Sequence, residues 1–305
     1  MKKIGLIIGR EWDWPAAFMT AVNEHHEHVQ AELVKLGGTF MDTAVAYDLI
    51  IDRMSHEIPY YRTYLKYARA KGCYIVNNPF SWSADDKFYG TTLTNHLGLR
   101  SPKTVALPNK EIEQDTLPES FRNLSYPLDW QGIIDYVGLP AIFKDARSGG
   151  RRRVFRVHSV EELIQCYDGS GAQTMVLQEL VESDQHVHCF VIGQKDMLLL
   201  QYLPVDGRYT PHILPTGTPH NQALLQAALS LTQAYQYDMN MVEFVIKDGE
   251  PFVINSTNPA PEISKTLMTP DQFNWLVEKS VEMALERLER PLPQQAIYPF
   301  NQTTP

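Results

Sequence analysis

Strand and helix signals alternate through the first hundred residues, and this alternation narrows the folds open to the chain more than any other feature. Short apolar runs such as IGLII, at residues 4–8, are typical of buried strands. Between them lie stretches of helical periodicity, and the first helix is predicted to run from Trp14 to a glycine stop at Gly38. Strands that alternate with helices favour a small, doubly wound parallel α/β sheet. The other elements predicted here are strands at 47–54 and 73–78 and helices at 60–72 and 84–98.

A second pattern begins near residue 138, after a proline-rich and polar stretch at 101–137 that predicts a connector. Hairpin-like strands then flank a glycine-containing turn, and Ser159 is predicted to cap a helix. Asp248-Gly249 predicts a second hairpin. The remaining predicted elements are strands at 174–181, 186–193 and 197–203, helices at 159–168, 221–237 and 271–289, and a poorly ordered tail at 292–305. The expected domains are an N-terminal α/β domain at 1–105, a connector with a central lobe at 106–195, and a C-terminal lobe at 196–305.

The charge of the chain limits its partners. A net charge of −9 disfavours binding to nucleic acid or to an acidic membrane surface, because both need a broad basic face. No apolar stretch approaches the roughly 18 residues of a membrane span, and the apolar run at the start is too short for a signal peptide. The spacing of Cys73, Cys166 and Cys189 predicts neither a disulfide framework nor a zinc site. We therefore expect a cytoplasmic protein without a membrane or nucleic-acid partner.

One basic loop is an exception to this acidic balance. The segment AIFKDARSGGRRRVF, at residues 141–155, delivers Lys144 at the end of a strand and then places Arg151, Arg152 and Arg153 after two glycines. A lysine supplies a compact charge, and glycines allow backbone N–H groups to approach an anion closely. The loop therefore predicts a phosphate-binding site, although a solvent-exposed basic hairpin would have the same composition.

Polar residues elsewhere in the chain extend this prediction. Gln178 and Glu179 end an apolar strand and are followed by two apolar residues, an arrangement that suits an adenine ring. Glu243 lies inside the apolar strand MVEFVI, where an unpaired carboxylate would be costly, so a metal ion or a basic partner is expected beside it. Asn255 and Asn258 come near the same end of the hairpin, although asparagines at such places also act as turn caps.

In this order the motifs resemble those of the ATP-grasp superfamily, and in particular its bacterial glutathione synthetase and ribosomal-protein glutamate ligase branch. The similarity covers about residues 45–265. KDARSGGRRRVFRV resembles the family's glycine-rich phosphate lid, LQEL its adenine-binding hinge and INSTNP its metal-binding strand. KGCYIVNNPFSWSADDKF resembles the stretch that precedes the fold and carries a lysine equivalent to Lys87. The resemblance implies an ATP-grasp fold behind an N-terminal α/β lobe, with ATP between the central and C-terminal lobes.

The resemblance also implies roles for individual residues. Mg²⁺ is expected on Glu243 and Asn255, and Arg151 and Arg208 are the candidate catalytic residues. The expected ATP-binding residues are Lys87, Lys144, Gly149, Gly150, Arg151, Gln178, Glu179, Leu180, Val181, Asp184 and His188.

Two departures from the family pattern bear on activity. Family lids carry more glycine and few charges, whereas three arginines occupy those places here; they would clamp phosphate bidentately or hold the carboxylate of a substrate. The family's second metal-binding acid falls on Asn255 or Val253, depending on how the hairpin is aligned, and neither is a carboxylate. One Mg²⁺ on Glu243, Asn255 and phosphate is therefore expected rather than two.

The activity that the resemblance implies is ATP-dependent carboxylate–amine ligation through an acyl phosphate. The implied substrates are a small carboxylic acid and an amine, the latter a free amino acid or a peptide. The missing acid leaves an alternative open, a non-catalytic ATP-binding protein of the same fold. A homo-oligomer is compatible with either function. His25, His26 and His28 are interpreted as a solvated helix face rather than a metal site, since matching ligands are missing nearby in the sequence.

Overall fold

The chain divides into two compact units. The computed structural model describes residues 1–81, 86–111, 123–147, 154–183 and 185–292. The first unit combines the described residues of Met1–Ser83, Gln185–Phe244 and Ser256–Pro305, and the second those of Ala84–Asp184 and Val245–Asn255. The domain boundaries expected near residues 105 and 195 stay a prediction.

A parallel sheet forms the N-terminal part of the first unit. Its elements are β1 (Lys2–Ile7), α1 (Asp13–His25), β2 (Val29–Leu33), β3 (Leu49–Asp52), α2 (Pro59–Ala70) and β4 (Tyr74–Val76). The strand order is β2-β1-β3-β4, and all three pairings are parallel. All four residues of β3 are buried, as expected for a central parallel strand covered on both faces. The predicted parallel α/β sheet is confirmed.

The strand β2 corrects the prediction of one helix from Trp14 to Gly38, which was wrong. α1 ends at His25, and β2 begins four residues later. The Asn23 side chain stabilises this turn, because it accepts a hydrogen bond from Ala31 N at 2.8 Å and donates one to Ala31 O at 3.0 Å. Apolar and polar residues alternate along VQAEL, which is the period of a strand, but five residues are too few to stand out beside a strong helical pattern.

A larger sheet comes next; its residues up to Phe244 lie in the first unit, and those of Val245–Asn255 belong to the second. Its strands are β9 (Gln185–Ile192), β10 (Asp196–Leu203), β11 (Arg208–Ile213), β12 (Met239–Lys247) and β13 (Glu250–Asn255), in the order β11-β10-β9-β12-β13. The strand β11 was not predicted, because RYTPHI contains a proline and its pairing with β10 is irregular near Leu200. The helices are α6 (Pro219–Ala234) and α7 (Pro270–Glu289). Apolar residues of α7 share one core with α1 and the parallel sheet.

The turn between β12 and β13 has the geometry that its sequence predicts. Asp248 has φ 53° and Gly249 has φ 79°, so both adopt the left-handed conformation of a two-residue hairpin turn. The predicted hairpin is confirmed.

The second unit contains a four-stranded antiparallel sheet. Its elements are α3 (Lys87–His96), β5 (Thr104–Leu107), α4 (Trp130–Val137), β6 (Ala141–Asp145), β7 (Val154–Val157), α5 (Val160–Asp168) and β8 (Met175–Glu179). The strand order is β5-β8-β6-β7. As predicted, β6 and β7 pair antiparallel, and Ser159 caps α5 by accepting from Glu162 N at 3.2 Å.

The connector predicted at 101–137 was partly wrong, because β5 and α4 lie within it. β5 has only four residues, and its pairing with β8 rather than a local pattern makes it a strand. α4 is capped by Asp129, which accepts from Gly132 N at 2.9 Å.

Three further expectations concern less regular parts of the chain. The predicted tail beyond residue 292 lies outside the described residues. The histidines that were assigned to a helix face lie at and beyond the end of α1, and His25 and His28 are exposed. In the described part of the chain, no group of three metal-ligating side chains forms a metal site.

None of the described helices has both the length and the apolar character for a membrane crossing.

Candidate functional site

The sheet of the second unit has one face that carries polar side chains. On β6, Phe143 packs in the apolar core, so Lys144 lies on the opposite face. On β8, Leu177 packs in the same core, and Gln178 therefore shares the face of Lys144. Thr104 pairs directly with Gln178 across β5 and β8, which places the two side chains on one face. Three strands thus bring three polar side chains together.

Hydrogen bonds join these three side chains in a row. Lys144 Nζ donates to Gln178 Oε1 at 2.8 Å, and Gln178 Nε2 donates to Thr104 Oγ1 at 3.1 Å. Gln178 is only 5% exposed and Thr104 only 8% exposed. The row holds the Lys144 ammonium on the polar face, where a compact positive charge suits a phosphate group.

Lys87, the other lysine predicted to bind phosphate, opens α3. Asp86 caps this helix by accepting from Tyr89 N at 2.9 Å. Lys87 N donates to Ala146 O at 2.9 Å, and Ala146 follows Lys144 by two residues. The backbone therefore brings both lysines into the same part of the second unit. The N-terminus of a helix adds a favourable potential for an anion.

The predicted adenine hinge begins at the end of β8. Glu179 N donates to Lys103 O at 2.8 Å, and Lys103 N donates to Glu179 Oε2 at 3.0 Å. The Glu179 carboxylate thus fixes the end of β8 to the start of β5. Leu180 is partly buried and Val181 is 7% exposed, so the hinge offers apolar atoms. Their contact with adenine stays a prediction.

Glu243, the predicted metal ligand, lies on β12 in the first unit. Its side chain is 26% exposed, whereas its neighbours on the strand, Val242 and Phe244, are buried. His188 Nε2 lies 3.8 Å from Glu243 Oε2, and His188 Nδ1 is 2.9 Å from the Tyr209 hydroxyl. The ring of His188 stacks on Tyr202 at a centroid distance of 4.6 Å. His188 therefore lies beside the carboxylate, and two tyrosines pack against the histidine ring.

Burial keeps Tyr209 neutral. Burial is the largest cause that raises the pKa of Tyr209, and the charge of Glu243 raises it further. The phenol therefore remains a hydrogen-bonding group across the ordinary pH range rather than becoming an acid or a base.

The other residues that the sequence analysis considered for the site lie on β11 and β13 or outside the described residues. Arg208 begins β11 with its side chain 65% exposed, and its Nε lies 4.0 Å from Asp206 Oδ2. Val253, one of the two places for the missing acid, is 5% exposed, and its N donates to Arg100 O at 2.9 Å. Asn255 ends β13 and is partly buried. Gly149, Gly150, Arg151 and Asp184 lie outside the described residues, as do Arg152 and Arg153.

The sequence interpretation missed an ionic cluster in the first unit. Arg53 follows β3 and pairs with Glu11 through both carboxylate oxygens, with Nη2 to Oε2 at 2.7 Å. Arg53 Nη2 also donates to Pro261 O at 2.5 Å, and the guanidinium lies over Trp14 at 4.7 Å. The signal was an arginine directly after a buried strand, since carboxyl ends of parallel strands often carry functional groups.

Comparisons with known proteins agree with the architecture. No protein-family model matches the chain. A D-alanine–D-alanine ligase of Polynucleobacter asymbioticus is 24% identical over 170 residues, covering 49% of this chain and 50% of the ligase. The D-alanine–D-alanine ligase of Ralstonia nicotianae is 25% identical over 164 residues, covering 47% and 49%. The chain spans about half the length of the curated relatives it matches.

Solved structures match nearly the whole chain. The D-alanine–D-alanine ligase of Bacillus anthracis in complex with ATP superposes with a TM-score of 0.70 at 15% identity, covering 95% of this chain and 98% of that one. A RimK-domain ATP-grasp protein of Sphaerobacter thermophilus has a TM-score of 0.65 at 14% identity, covering 93% and 99%. The VanG D-Ala:D-Ser ligase of Enterococcus faecalis has a TM-score of 0.67 at 14% identity, covering 94% and 99%. The chain therefore has the ATP-grasp fold, as the resemblance in its sequence predicted.

Proposed function

We propose that the protein is an ATP-dependent carboxylate–amine ligase. The main support is the position of the Lys144 ammonium, which Gln178 holds on the polar face of a sheet in a chain with the ATP-grasp fold. A carboxylate oxygen of the acid substrate attacks the γ-phosphorus of ATP, and ADP leaves. The amine nitrogen then attacks the carbonyl carbon of the acyl phosphate, phosphate leaves, and the amine loses a proton. The products are an amide, ADP and phosphate.

The residues of the chain act in this reaction mainly by positioning and by charge. Lys144 and Lys87 hold the phosphates and offset the charge that develops during transfer. We propose Glu179, Leu180 and Val181 as the hinge against adenine, and the arginines of the basic loop at 148–153, which lies outside the described residues, as further phosphate contacts. Arg151 and Arg208 are the proposed catalytic cations, and Asp184 and His188 further nucleotide contacts.

The metal donors fit a single Mg²⁺ better than two. Glu243 offers one partly exposed carboxylate, and Asn255 offers one amide oxygen. Val253 is apolar and buried, so it supplies no second acid. Mg²⁺ accepts a few protein oxygens together with phosphate and water, and it would supply charge neutralisation on the phosphates. We propose Glu243 and Asn255 as its protein ligands.

The proposed substrates are small molecules. The curated relatives are D-alanine–D-alanine ligases, and one structural neighbour is a D-Ala:D-Ser ligase, so an amino-acid acceptor is the first choice. A short peptide as the amine remains the second choice. The expected compartment is the cytoplasm, because ATP is abundant there and the three cysteines are free.

A substrate screen tests the activity. The protein would be incubated with ATP, Mg²⁺ and pairs of amino acids and dipeptides, and ADP release would be measured. The expected result is ADP release that depends on both members of one pair, together with the amide product by mass spectrometry. ADP release that never depends on a pair across a broad panel would contradict the ligase.

A binding measurement tests the nucleotide site separately. Lys144→Ala removes the ammonium and should weaken ATP binding at least about tenfold by calorimetry, since charge-assisted hydrogen bonds are the strong ones. Lys110→Ala is the matched control, because Lys110 is a lysine of the same unit that pairs with Asp168 at the surface. Equal ATP affinity in wild type and Lys144→Ala would show that Lys144 is not part of an ATP-binding site.

The buried apolar side chain of Val253 favours a second candidate, an ATP-binding protein without turnover. Losing one carboxylate from a metal site weakens metal binding and charge compensation together. This candidate predicts ATP binding that is sensitive to Lys144→Ala together with no pair-dependent ADP release.

A further inference from the structure

We propose that Thr104 is a positioning residue for the nucleotide phosphates, acting through Gln178 on Lys144. The inference rests on the proposed function, because it assumes that Lys144 binds phosphate. It assigns a role to a residue of β5 that no motif marks, and it changes the role of Gln178 from adenine contact to support of the lysine.

The register of three strands produces this arrangement. Gln178 on β8 lies opposite Thr104 on β5 and opposite Ile142 on β6. Lys144 follows Ile142 by two residues, so it lies on the same face, diagonal to Gln178. Directly opposed and diagonal side chains on one sheet face are close enough for contact. The amide of Gln178 therefore lies between a hydroxyl on one side and an ammonium on the other.

The directions of the hydrogen bonds fix the amide orientation. Thr104 Oγ1 donates its proton to Pro102 O at 3.0 Å, so its oxygen is left to accept from Gln178 Nε2 at 3.1 Å. An ammonium only donates, and Lys144 Nζ accordingly faces Gln178 Oε1 at 2.8 Å. With the amide reversed, two donors would face each other at Lys144. The Thr104 hydroxyl thus selects the orientation that suits the lysine.

Burial strengthens the preference for this orientation of the Gln178 amide. Thr104 is 8% exposed and Gln178 is 5% exposed, so water competes poorly for either side chain. In such surroundings a hydrogen bond is stronger and a mismatched donor pair costs more than at the surface. Lys144 is then held by an oriented carbonyl dipole, and the amide itself carries no charge that would neutralise the ammonium. A carboxylate in place of Gln178 would pair with the ammonium and compete with phosphate for it.

The test compares three variants with matched chemistry. Thr104→Val keeps the size and branching of the side chain and removes the hydroxyl, whereas Thr104→Ser keeps the hydroxyl. Thr104→Ala also removes the hydroxyl but, unlike Thr104→Val, puts no methyl group in its place. The same loss of affinity in both variants would show that the effect does not come from the added methyl group. Affinity for ATP, ADP and adenosine would be measured by calorimetry, and folding would be checked by thermal unfolding.

The expected result is a selective loss of phosphate binding. Thr104→Val and Thr104→Ala should each bind ATP and ADP about threefold to tenfold more weakly, which is the range of one lost hydrogen bond in a buried row. Affinity for adenosine should stay at the wild-type value, and Thr104→Ser should restore ATP and ADP affinity. A purely structural role would instead weaken all three ligands together.

Other outcomes overturn the proposal in distinguishable ways. If a folded Thr104→Val variant binds ATP as tightly as the wild type does, Thr104 has no positioning role, and the proposed ligase activity is unaffected. Gln178→Met should lower ATP affinity without changing the preference for ATP over GTP; a changed preference would make Gln178 a reader of the base and overturn the inference. If the wild type binds neither ATP nor ADP, the proposed function fails and this inference fails with it.

Discussion

Arg287 Nε donates to Asp238 Oδ1 at 2.7 Å, and both side chains are almost fully buried in the first unit. The Tyr74 hydroxyl donates to the other carboxylate oxygen at 2.7 Å, and Arg287 Nη2 donates to Gly193 O at 2.9 Å. Burial raises the pKa of the Asp238 carboxyl, and the hydrogen bond from Arg287 is the largest cause that opposes this rise. The pair is thus stable only because its charges and lone pairs are satisfied together.

Breaking this pair on one side should be costly. Arg287→Met leaves Asp238 buried without its cation, and we expect a loss of about 3–5 kcal/mol in the free energy of unfolding. The measurement is urea unfolding at constant pH. The double variant Arg287→Met/Asp238→Leu should recover much of the loss, because no uncompensated charge remains.

The neighbouring surface pair provides the control. Lys195 Nζ contacts Glu286 Oε2 at 2.5 Å, with both side chains well exposed. Lys195→Met should change the unfolding free energy by less than about 1 kcal/mol. A similar loss in Arg287→Met and Lys195→Met would show that burial of the pair at Asp238 does not matter.

A glycine in β1 allows close packing of the parallel sheet. A Cβ at Gly5 would lie 2.5 Å from Val34 Cγ2 and 2.9 Å from Tyr47 Cδ1. Gly5→Ala should therefore destabilise the protein by about 1–3 kcal/mol, the range of an overpacked core. Gly37→Ala is the control, since nothing lies within 4 Å of its Cβ position. Equal thermal unfolding midpoints for Gly5→Ala and wild type would contradict the predicted crowding.

Local patterns predicted much of the architecture, although the long helical pattern from Trp14 to Gly38 concealed β2. The strand–helix alternation gave the parallel sheet, and Asp248-Gly249 gave the hairpin, because turn chemistry acts between neighbours. Two of the short strands were missed because no strong local pattern marks them. β2 and β5 have five and four residues, and both become strands through pairing with partners far along the chain. Such pairing leaves little trace in a local sequence.

The candidate site shows the same limit. The sequence pointed to Lys144 and Gln178 as single residues but gave no reason to join them to Thr104, which lies 74 residues before Gln178. That contact depends on the register of β5 against β8, which is set when the sheet forms. Arg287 is a similar case, since an arginine in LERLER looks like an exposed helix residue until Asp238 lies beside it.

His56 should make the stability of the first unit sensitive to acid. Burial is the largest cause that lowers the pKa of His56 below its ordinary value of 6.5. As pH falls below about 6.5, the unfolded chain takes up a proton at His56 before the folded chain does, so the folded state loses stability. The loss continues until the pH passes the lowered pKa of the folded state.

A difference measurement isolates this effect. His56→Gln cannot titrate, so its unfolding free energy should fall less than that of the wild type between about pH 7.5 and about pH 5.5. Comparing the two removes contributions from Asp52, whose pKa burial raises and which acts in the opposite direction. Parallel curves for wild type and His56→Gln over this range would contradict the prediction.

Glu243 separates the ligase from the ATP-binding protein without turnover. Glu243→Gln keeps the shape of the side chain and removes the charge that we propose for Mg²⁺. We expect this variant to lose pair-dependent ADP release and to lose the increase in ATP affinity that Mg²⁺ produces, since a neutral amide neutralises the ion less well. Glu250→Gln is the control, because Glu250 is a half-exposed carboxylate that pairs with Arg100 at 3.6 Å and has no proposed role in the reaction. If ATP binds without an ordered metal in a crystal structure, and Glu243→Gln behaves like wild type, the chain binds ATP without using it for ligation.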